Sequence, residues 1–371
     1  MNELKTPCLI LDLERVRGNA ERMTQLAHQM AVRLRPHIKT HKSVEVGRIQ
    51  TAGHNRAITV STLAEARAFA AGGFDDITYA VPIEVGKFDG VFEIIRSGVH
   101  LNLITTDLAT MHLLDKAAAK ASLKVSVFLK VDCGYHRCGV DPDSLEAMAI
   151  PRVISEAADL EFAGILTHAG HSYNVKTKVE IEEIAHIERD VMVNLATRLR
   201  ADGIEVPTVS IGSTPSITHV DHLEGIDEIR PGNYILFDAF QATLGSCSFD
   251  DCALTVLTAV THVSRQHRKI VVDAGGIAMS KDRGAVDIDP SCGYGRVLDL
   301  EGNELGLRLD SLSQEHGQIN VTDDSIFDRI KVGDRIRILA NHSCLTAAQH
   351  SYFHLLEDGA IVDSWPIHVG W

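Results

Sequence analysis

Residues 34–43, LRPHIKTHKS, gather Arg35, His37, Lys39, His41 and Lys42 around one short apolar step. A lysine that ends a strand among other cations is desolvated, its pKa falls, and its amine becomes nucleophilic toward an aldehyde. An isolated basic run is usually a solvated loop, and a lone barrel lysine is usually salt-bridged, so the meaning of Lys39 depends on what else the chain brings to it. Five further polar stretches are candidates: DCGYHRCG with Arg137, THAGHSYN with His168, His171 and Tyr173, IGSTPS with Gly212, Ser213 and Thr214, PGNY with Tyr234, and NHSC with His342 and Cys344. IGSTPS offers small residues, hydroxyls and free backbone N–H groups leading toward a helix start, which suits a phosphate dianion. A lysine together with a phosphate site points to pyridoxal phosphate. Read as a strand, NHSC places His342 and Cys344 on one face, where an imidazole and a thiolate favour zinc. Two ligands alone make a poor zinc site, and the commoner reading of such a pair is a buried cysteine beside a surface histidine.

The elements that must position these residues follow a regular alternation. Between about residues 33 and 238, eight apolar runs rich in β-branched residues end at Lys39, Thr62, Val81, Thr106, Asp132, Gly170, Ser213 and Asp238. Amphipathic segments such as LAEARAFAAGG and TDLATMHLLDKAAAKA separate them. Eight strands, each followed by a helix, predict an α/β fold of the (β/α)8 TIM-barrel type, with a doubly wound sheet as the weaker alternative. In such a barrel the active groups collect at strand ends, where the candidate residues fall. After Asp238 the helical period gives way to ALTVLTAVTHVSR, HRKIVVDAGG, DRIRILANHSC and AIVDSWPIHVGW, which read as strands of a C-terminal all-β domain. The expected divisions are therefore residues 1–12, a strand joining the β-domain; 13–240, the barrel; and 241–371, the β-domain carrying the metal pair.

The bulk properties narrow the chemistry. A chain of 371 residues with 45% hydrophobic and 23% charged residues can bury large cores, and its length favours two domains. A formal net charge of -14 argues against nucleic acid and anionic membranes as partners, leaving a small-molecule substrate as the expectation. No apolar run reaches the roughly 18 residues of a membrane span and MNELKTPCLILDLERV is too weakly apolar for a signal peptide, so a cytoplasmic protein is expected. Seven scattered cysteines without a CxxC pair do not form a disulfide framework.

TPCLILDLERVRGNAERM, RPHIKTHKS, VSTLAEARAFAAGGFDDITYA, LKVDCGYHRCGV, IGSTPS, PGNYILFD, LGSCSFDDCALTVLT, SQEHG and NHSCLTAAQH run almost end to end through the chain. In them it resembles the pyridoxal-phosphate enzymes of the alanine racemase-like fold, and within these the eukaryotic-type D-serine dehydratases and D-threonine aldolases. The resemblance implies that Lys39 forms the Schiff base with the cofactor. It further implies that Arg137 meets the phenolic oxygen, that Tyr173 meets the pyridine ring, and that Tyr234 with Gly212, Ser213 and Thr214 holds the phosphate. A partner other than a carboxylate at the ring nitrogen leaves the ring less protonated and favours one modest carbanion step. The resemblance also makes His342 and Cys344 a metal pair, for Zn2+ or alternatively Mn2+ or Mg2+, where the aldolases carry His-x-Asp. His316 in SQEHG and Cys247 in LGSC lie in matching stretches without an assigned step.

Four functions are compatible with these residues. The leading one is a metal-assisted dehydratase that takes water from a β-hydroxy D-amino acid, D-serine, D-threonine or 3-hydroxyaspartate, and yields a 2-oxo acid and ammonia. The runner-up is retro-aldol cleavage to glycine and an aldehyde. A racemase would want a second acid-base group and has no use for zinc, and a non-catalytic pyridoxal-phosphate carrier would not need the β-domain. A homodimer is expected from the commonness of two-fold assembly.

Overall fold

The computed structural model describes Met1 and residues 3–371, and the chain forms two compact units, each assembled from separate stretches. One comprises Glu21–Lys39, Gln50–Gly232 and Val369–Trp371; the other comprises Met1–Ala20, Thr40–Ile49 and Asn233–His368.

The first unit holds an eight-stranded parallel sheet in the order Arg33–Leu34, Glu228–Ile229, Val209–Ile211, Leu160–Leu166, Val125–Lys130, His100–Thr105, Asp76–Pro82, Ile58–Val60. A parallel bridge between His37 and Thr59 joins the last of these to the chain leaving the first, which closes the (β/α)8 barrel. The strand-to-helix joints are built from short polar residues. Thr62, Asp107 and Thr177 accept backbone N–H bonds at the starts of Leu63–Ala71, Leu108–Ala121 and Lys178–Ala201.

Two barrel strands are much shorter than their apolar runs predict. Pro36 and Pro231 follow Arg33–Leu34 and Glu228–Ile229, and a proline has no N–H to give to a ladder. The chain then enters single 3-10 turns, Ile38–Thr40 and Asn233–Ile235. Lys39 therefore stands in a turn beyond its strand instead of at the strand's last residue.

Inside the barrel a polar network replaces part of the apolar core. Buried Arg35 donates through Nε to Glu228 at 2.7 Å and through its two terminal nitrogens to Asp76 at 2.6 and 3.0 Å. Ser210 donates to the other Glu228 oxygen at 2.8 Å, and Arg230 donates to Ser210 Oγ and the Thr167 carbonyl. Burial opposes the charge on Arg35, but Glu228 and Asp76 outweigh it and hold the guanidinium above its ordinary pKa.

The second unit is built on a ten-stranded sheet whose main path runs Glu304–Arg308, Gly295–Leu298, Arg335–Ala340, Leu254–Ser264, Cys8–Asp12, Tyr352–Glu357, Ala360–Pro366. Its pairings are antiparallel except that Cys8–Asp12 runs parallel to Tyr352–Glu357. Lys269–Val272, Gly317–Asn320 and Ser311–Leu312 branch from Leu254–Ser264. Among the described residues no helix is long and apolar enough to cross a membrane.

Candidate active site

At the barrel's strand ends the charges of Lys39 and Arg137 bear on one histidine. Burial, followed by the positive charges of Lys39, Lys130 and Arg137, keeps His168 well below the ordinary histidine pKa, and so neutral. Its Nδ1 lies 3.4 Å from the Gly212 carbonyl. The Tyr135 ring packs edge-on to His168 and stacks on His171, each at 6.1 Å, and the Arg137 guanidinium lies 5.1 Å from the Tyr135 centroid. Buried Lys130 is pushed down to about 8 by burial and by the charge of Arg230. A primary amine, guanidinium groups and a neutral imidazole collected this way suit an anionic aldehyde, and the buried Nδ1 of His171 has hydrogen-bonding capacity to spare. These residues fit pyridoxal phosphate.

The segment expected to hold the phosphate is more occupied than its sequence suggests. Gly212 donates its N–H to Glu188 at 3.1 Å, and Ser213 donates its own to Ser216 Oγ at 3.0 Å. Ser213 Oγ in turn accepts the Ser216 N–H at 3.2 Å, closing a capping box. The expectation of free backbone donors at Gly212 and Ser213 is thus corrected: both N–H groups, and the Ser213 hydroxyl, already have partners within the chain. Gly212 itself is required: its φ is +115°, and a Cβ there would lie 2.9 Å from Ile217 Cγ1. Tyr173 ends the turn Gly170–Tyr173, one residue after Ser172, whose Oγ is 2.9 Å from Ser213 Oγ.

In the other unit, His342 and Cys344 come together, but not on a strand. Arg335–Ala340 stops short of them; His342 is the N-cap of the short helix Ser343–Ala347, and Cys344 lies in its first turn. Past the strand's end Asp238 accepts the Ser343 N–H at 2.9 Å and its hydroxyl at 3.1 Å, which fixes the start of the helix. His342 Nδ1 faces Asp282 Oδ2 at 2.6 Å. Cys344 Sγ receives Asn233 Nδ2 at 3.4 Å and lies 3.3 Å from Thr40 Oγ1. Burial opposes the charged forms of both. Even so, hydrogen bonds that His342 donates to Asp282 and Cys344 raise it well above its ordinary pKa, while His342 lowers Cys344. A thiolate beside an imidazole whose Nδ1 is held by Asp282 presents the donor set that zinc prefers; the ring's other nitrogen, now shared with Cys344, is the one that would turn to a metal on loss of its proton. Among the described residues no group of three or more His, Cys, Asp or Glu gathers for a metal, so this chain's share of such a site is the pair. Tyr234, next to Asn233, is fully buried in the same unit.

Residues 11–239 match the model of the alanine racemase N-terminal domain, and residues 253–356 that of a serine dehydratase domain. The D-threo-3-hydroxyaspartate dehydratase of Delftia sp. (strain HT23) is 37% identical over 99% of this chain and 98% of its own length. The chain belongs to the alanine racemase-like family of D-serine dehydratases and D-threonine aldolases. Within this family the D-serine dehydratase of Dictyostelium discoideum is 35% identical over 100% of the chain and 98% of its own. The solved structure of the Delftia enzyme superposes with a TM-score of 0.96, covering 100% of this chain and 99% of that one. Two mutants of a D-threo-3-hydroxyaspartate dehydratase superpose equally well, one with a cysteine changed to alanine in a metal-free form and one with the histidine two positions earlier changed to alanine, the spacing of His342 and Cys344. The D-threonine aldolase from Filomicrobium marinum, 26% identical, superposes with a TM-score of 0.87 over 99% of this chain and 96% of its own. Dehydratases and aldolases of this family are lyases, and so is this chain.

Several side chains in these sites are not singled out by the motifs. Lys130 and Arg230 lie inside apolar strand patterns, Asp282 belongs to a loop, and Glu188 sits in a long helix. His316 is exposed in a turn, where its carbonyl accepts the Ser313 N–H at 2.9 Å. Cys247 pairs with buried Cys252; its hydrogen bond, with burial, raises Cys252 well above the ordinary thiol value.

Proposed function

We propose that the chain is a pyridoxal-phosphate- and metal-dependent dehydratase that takes water from a β-hydroxy D-amino acid, with D-serine, D-threonine and 3-hydroxyaspartate as candidate substrates, and yields a 2-oxo acid and ammonia. The observation that carries this reading is the His342–Cys344 pair, held by Asp282 at 2.6 Å and matching in type and spacing the histidine and cysteine mutated in a D-threo-3-hydroxyaspartate dehydratase. Lys39 would hold the cofactor through Nζ and, once the substrate amine takes its place there, would use the freed amine to remove the substrate α-proton. Arg137 and Lys130 supply positive charge for anionic groups, and neutral His168 contributes an acceptor without adding another cation. Bound pyridoxal phosphate would supply the electron sink for the developing carbanion, and zinc on His342 and Cys344 the Lewis acidity that a hydroxide leaving group needs.

Aldolase cleavage is the second reading, supported by the likeness to the Filomicrobium aldolase. Cys344 weighs against it, standing where the resemblance gives aldolases an aspartate. Purified protein incubated with each candidate D-amino acid, with and without chelator, separates the two. Pyruvate, 2-oxobutanoate or oxaloacetate marks dehydration, glycine plus an aldehyde marks the aldolase, and neither product from any of them would sink both. The proposal includes a homodimer in the reducing cytoplasm, a compartment that seven free thiols suit. Sedimentation showing a fully active monomer would refute the dimer.

A further inference from the structure

Glu188 lies completely buried in the middle of Lys178–Ala201, on the face that also buries Ile181, Ala185, Met192, Leu195 and Leu199. A carboxyl group on such a face is tolerated only when its oxygens are fully engaged. Oε1 accepts the N–H groups of Ala169 at 2.9 Å and Gly212 at 3.1 Å, and Oε2 accepts the Ser216 hydroxyl at 2.9 Å. These donors belong to the two segments that leave Leu160–Leu166 and Val209–Ile211. Ser216 Oγ is 2.9 Å from Ser213 Oγ, which is 2.9 Å from Ser172 Oγ, which donates to the Ala169 carbonyl at 2.7 Å. These contacts run in a circuit from Glu188 through Ser216 back to Ala169; because Ser216 and Ser172 give their protons to Glu188 and Ala169, the one Ser213 proton serves one of its two Oγ neighbours at a time.

The barrel ladder cannot do this work. Its last bonds on either side of Val209–Ile211 are Thr167 N–H to the Ser210 carbonyl at 3.0 Å and Arg230 N–H to the Ile211 carbonyl at 2.9 Å. Beyond them, the segments carrying His168, Tyr173, Gly212, Ser213 and Thr214 are spaced by the Glu188 circuit and by His168 Nδ1 at 3.4 Å from the Gly212 carbonyl. The geometry points to Glu188 as a positioning residue that sets the two strand-end segments for the cofactor's phosphate, acting through Gly212 and Ser213. This rests on the pyridoxal-phosphate reading above.

The test compares pyridoxal phosphate with pyridoxal, which lacks only the phosphate, by titrating each into cofactor-free protein and following visible absorbance. Glu188→Ala leaves two N–H groups and a hydroxyl without their acceptor, and is expected to weaken pyridoxal phosphate about tenfold or more while pyridoxal changes little. Glu188→Gln keeps an oxygen for both N–H groups and offers its amide to Ser216, so it should restore most of the difference. Equal losses for the two ligands in Glu188→Ala, or no loss for either, would overturn the proposal. Failure of the glutamine to rescue would assign the effect to charge, and would overturn it as well. If Glu188→Ala does not fold, Ser216→Ala decides: it breaks the circuit at one hydroxyl and should show a smaller loss confined to the phosphate-bearing ligand, and an unchanged ratio rejects the circuit. Wild-type protein that binds neither ligand would remove the cofactor reading itself, an outcome separate from any behaviour of the variants.

Discussion

Asp282 Oδ2 holds His342 Nδ1 at 2.6 Å, which fixes the ring's orientation and leaves its other nitrogen facing Cys344. A carboxylate in this position orients the imidazole and raises its basicity as a ligand. Asp282→Asn keeps the shape but loses the charge, and Asp282→Ala loses both. Zinc affinity, read by competition with a chromogenic chelator, should fall by roughly 10–100-fold in the alanine variant and by less in the asparagine one. Unchanged affinity in both would show that Asp282 merely packs beside the histidine.

The cofactor lysine can be told apart from its neighbours. Lys39 stands in the turn Ile38–Thr40, partly exposed, whereas Lys130 is buried with its Nζ on the Val131 carbonyl at 3.2 Å. Lys39→Ala should lose the visible absorbance of the bound cofactor, and borohydride should no longer attach the cofactor to the protein. Lys130→Met should keep both signals. Covalent labelling of Lys42 or Lys130 in the Lys39→Ala protein would make the assignment wrong.

Which features the sequence makes legible follows from how local their causes are. Val125–Lys130 and Leu160–Leu166 are written in apolar β-branched runs, and Thr177 with Glu180 writes a helix start, so the barrel can be counted from local pattern. The shortness of Arg33–Leu34 is local as well, since Pro36 forbids a ladder bond, although the apolar run around it conceals this. His342 and Cys344 are legible as a chemical pair, but their placement on a helix cap is not, because Asp238 imposes it from 105 residues away. Asp282 is likewise invisible, lying 60 residues from His342 in a loop without a motif. Glu188 does leave a trace: a lone acid at the position where the stripe of Ile181, Ala185, Met192, Leu195 and Leu199 calls for an apolar residue.

Arg35 should dominate the stability of the barrel's polar interior. Its single charge is shared between Glu228, which is buried, and Asp76, whose side chain is 36% exposed, with the charge of Arg230 bearing on Glu228 as well. Arg35→Met strips Glu228 of its directly bonded cation and should cost about 3–5 kcal/mol, measured by urea denaturation. A loss below about 1 kcal/mol would mean that water or a neighbouring charge replaces the guanidinium.

Acid should weaken the fold through His168. Its folded pKa lies well below the ordinary value because burial and the charges of Lys39, Lys130 and Arg137 oppose protonation. As pH falls through about 6.5 the unfolded chain takes up a proton that the folded chain refuses, so stability declines from there until the folded pKa is reached. Above that window the group contributes no pH dependence. His171, His350 and His354 are lowered by burial in the same sense and add to the slope. Denaturation of cofactor-free protein between pH 7.5 and 5 should show a steeper decline for wild type than for His168→Gln, and parallel curves would place the proton elsewhere.

Cys344 separates a lyase from a cofactor carrier. Its sulfur, set between His342, Asn233 and Thr40, has a pKa lowered by the hydrogen bond and charge of His342 in spite of burial, and a thiolate is the form that binds zinc. Cys344→Ala removes a metal ligand and leaves Lys39 and the strand-end residues unchanged, so it should keep the visible absorbance of the bound cofactor and the exchange of the substrate α-proton into deuterated water. Release of the β-hydroxyl should fall by orders of magnitude, because hydroxide leaves poorly without a Lewis acid. Chelation of wild-type protein should reproduce the same split between proton exchange and 2-oxo acid formation, and Cys344→Asp should recover part of the activity by restoring an anionic ligand. If both chelation and Cys344→Ala leave 2-oxo acid formation at the wild-type rate, the thiolate carries no metal in catalysis and the dehydratase reading loses its leaving-group chemistry.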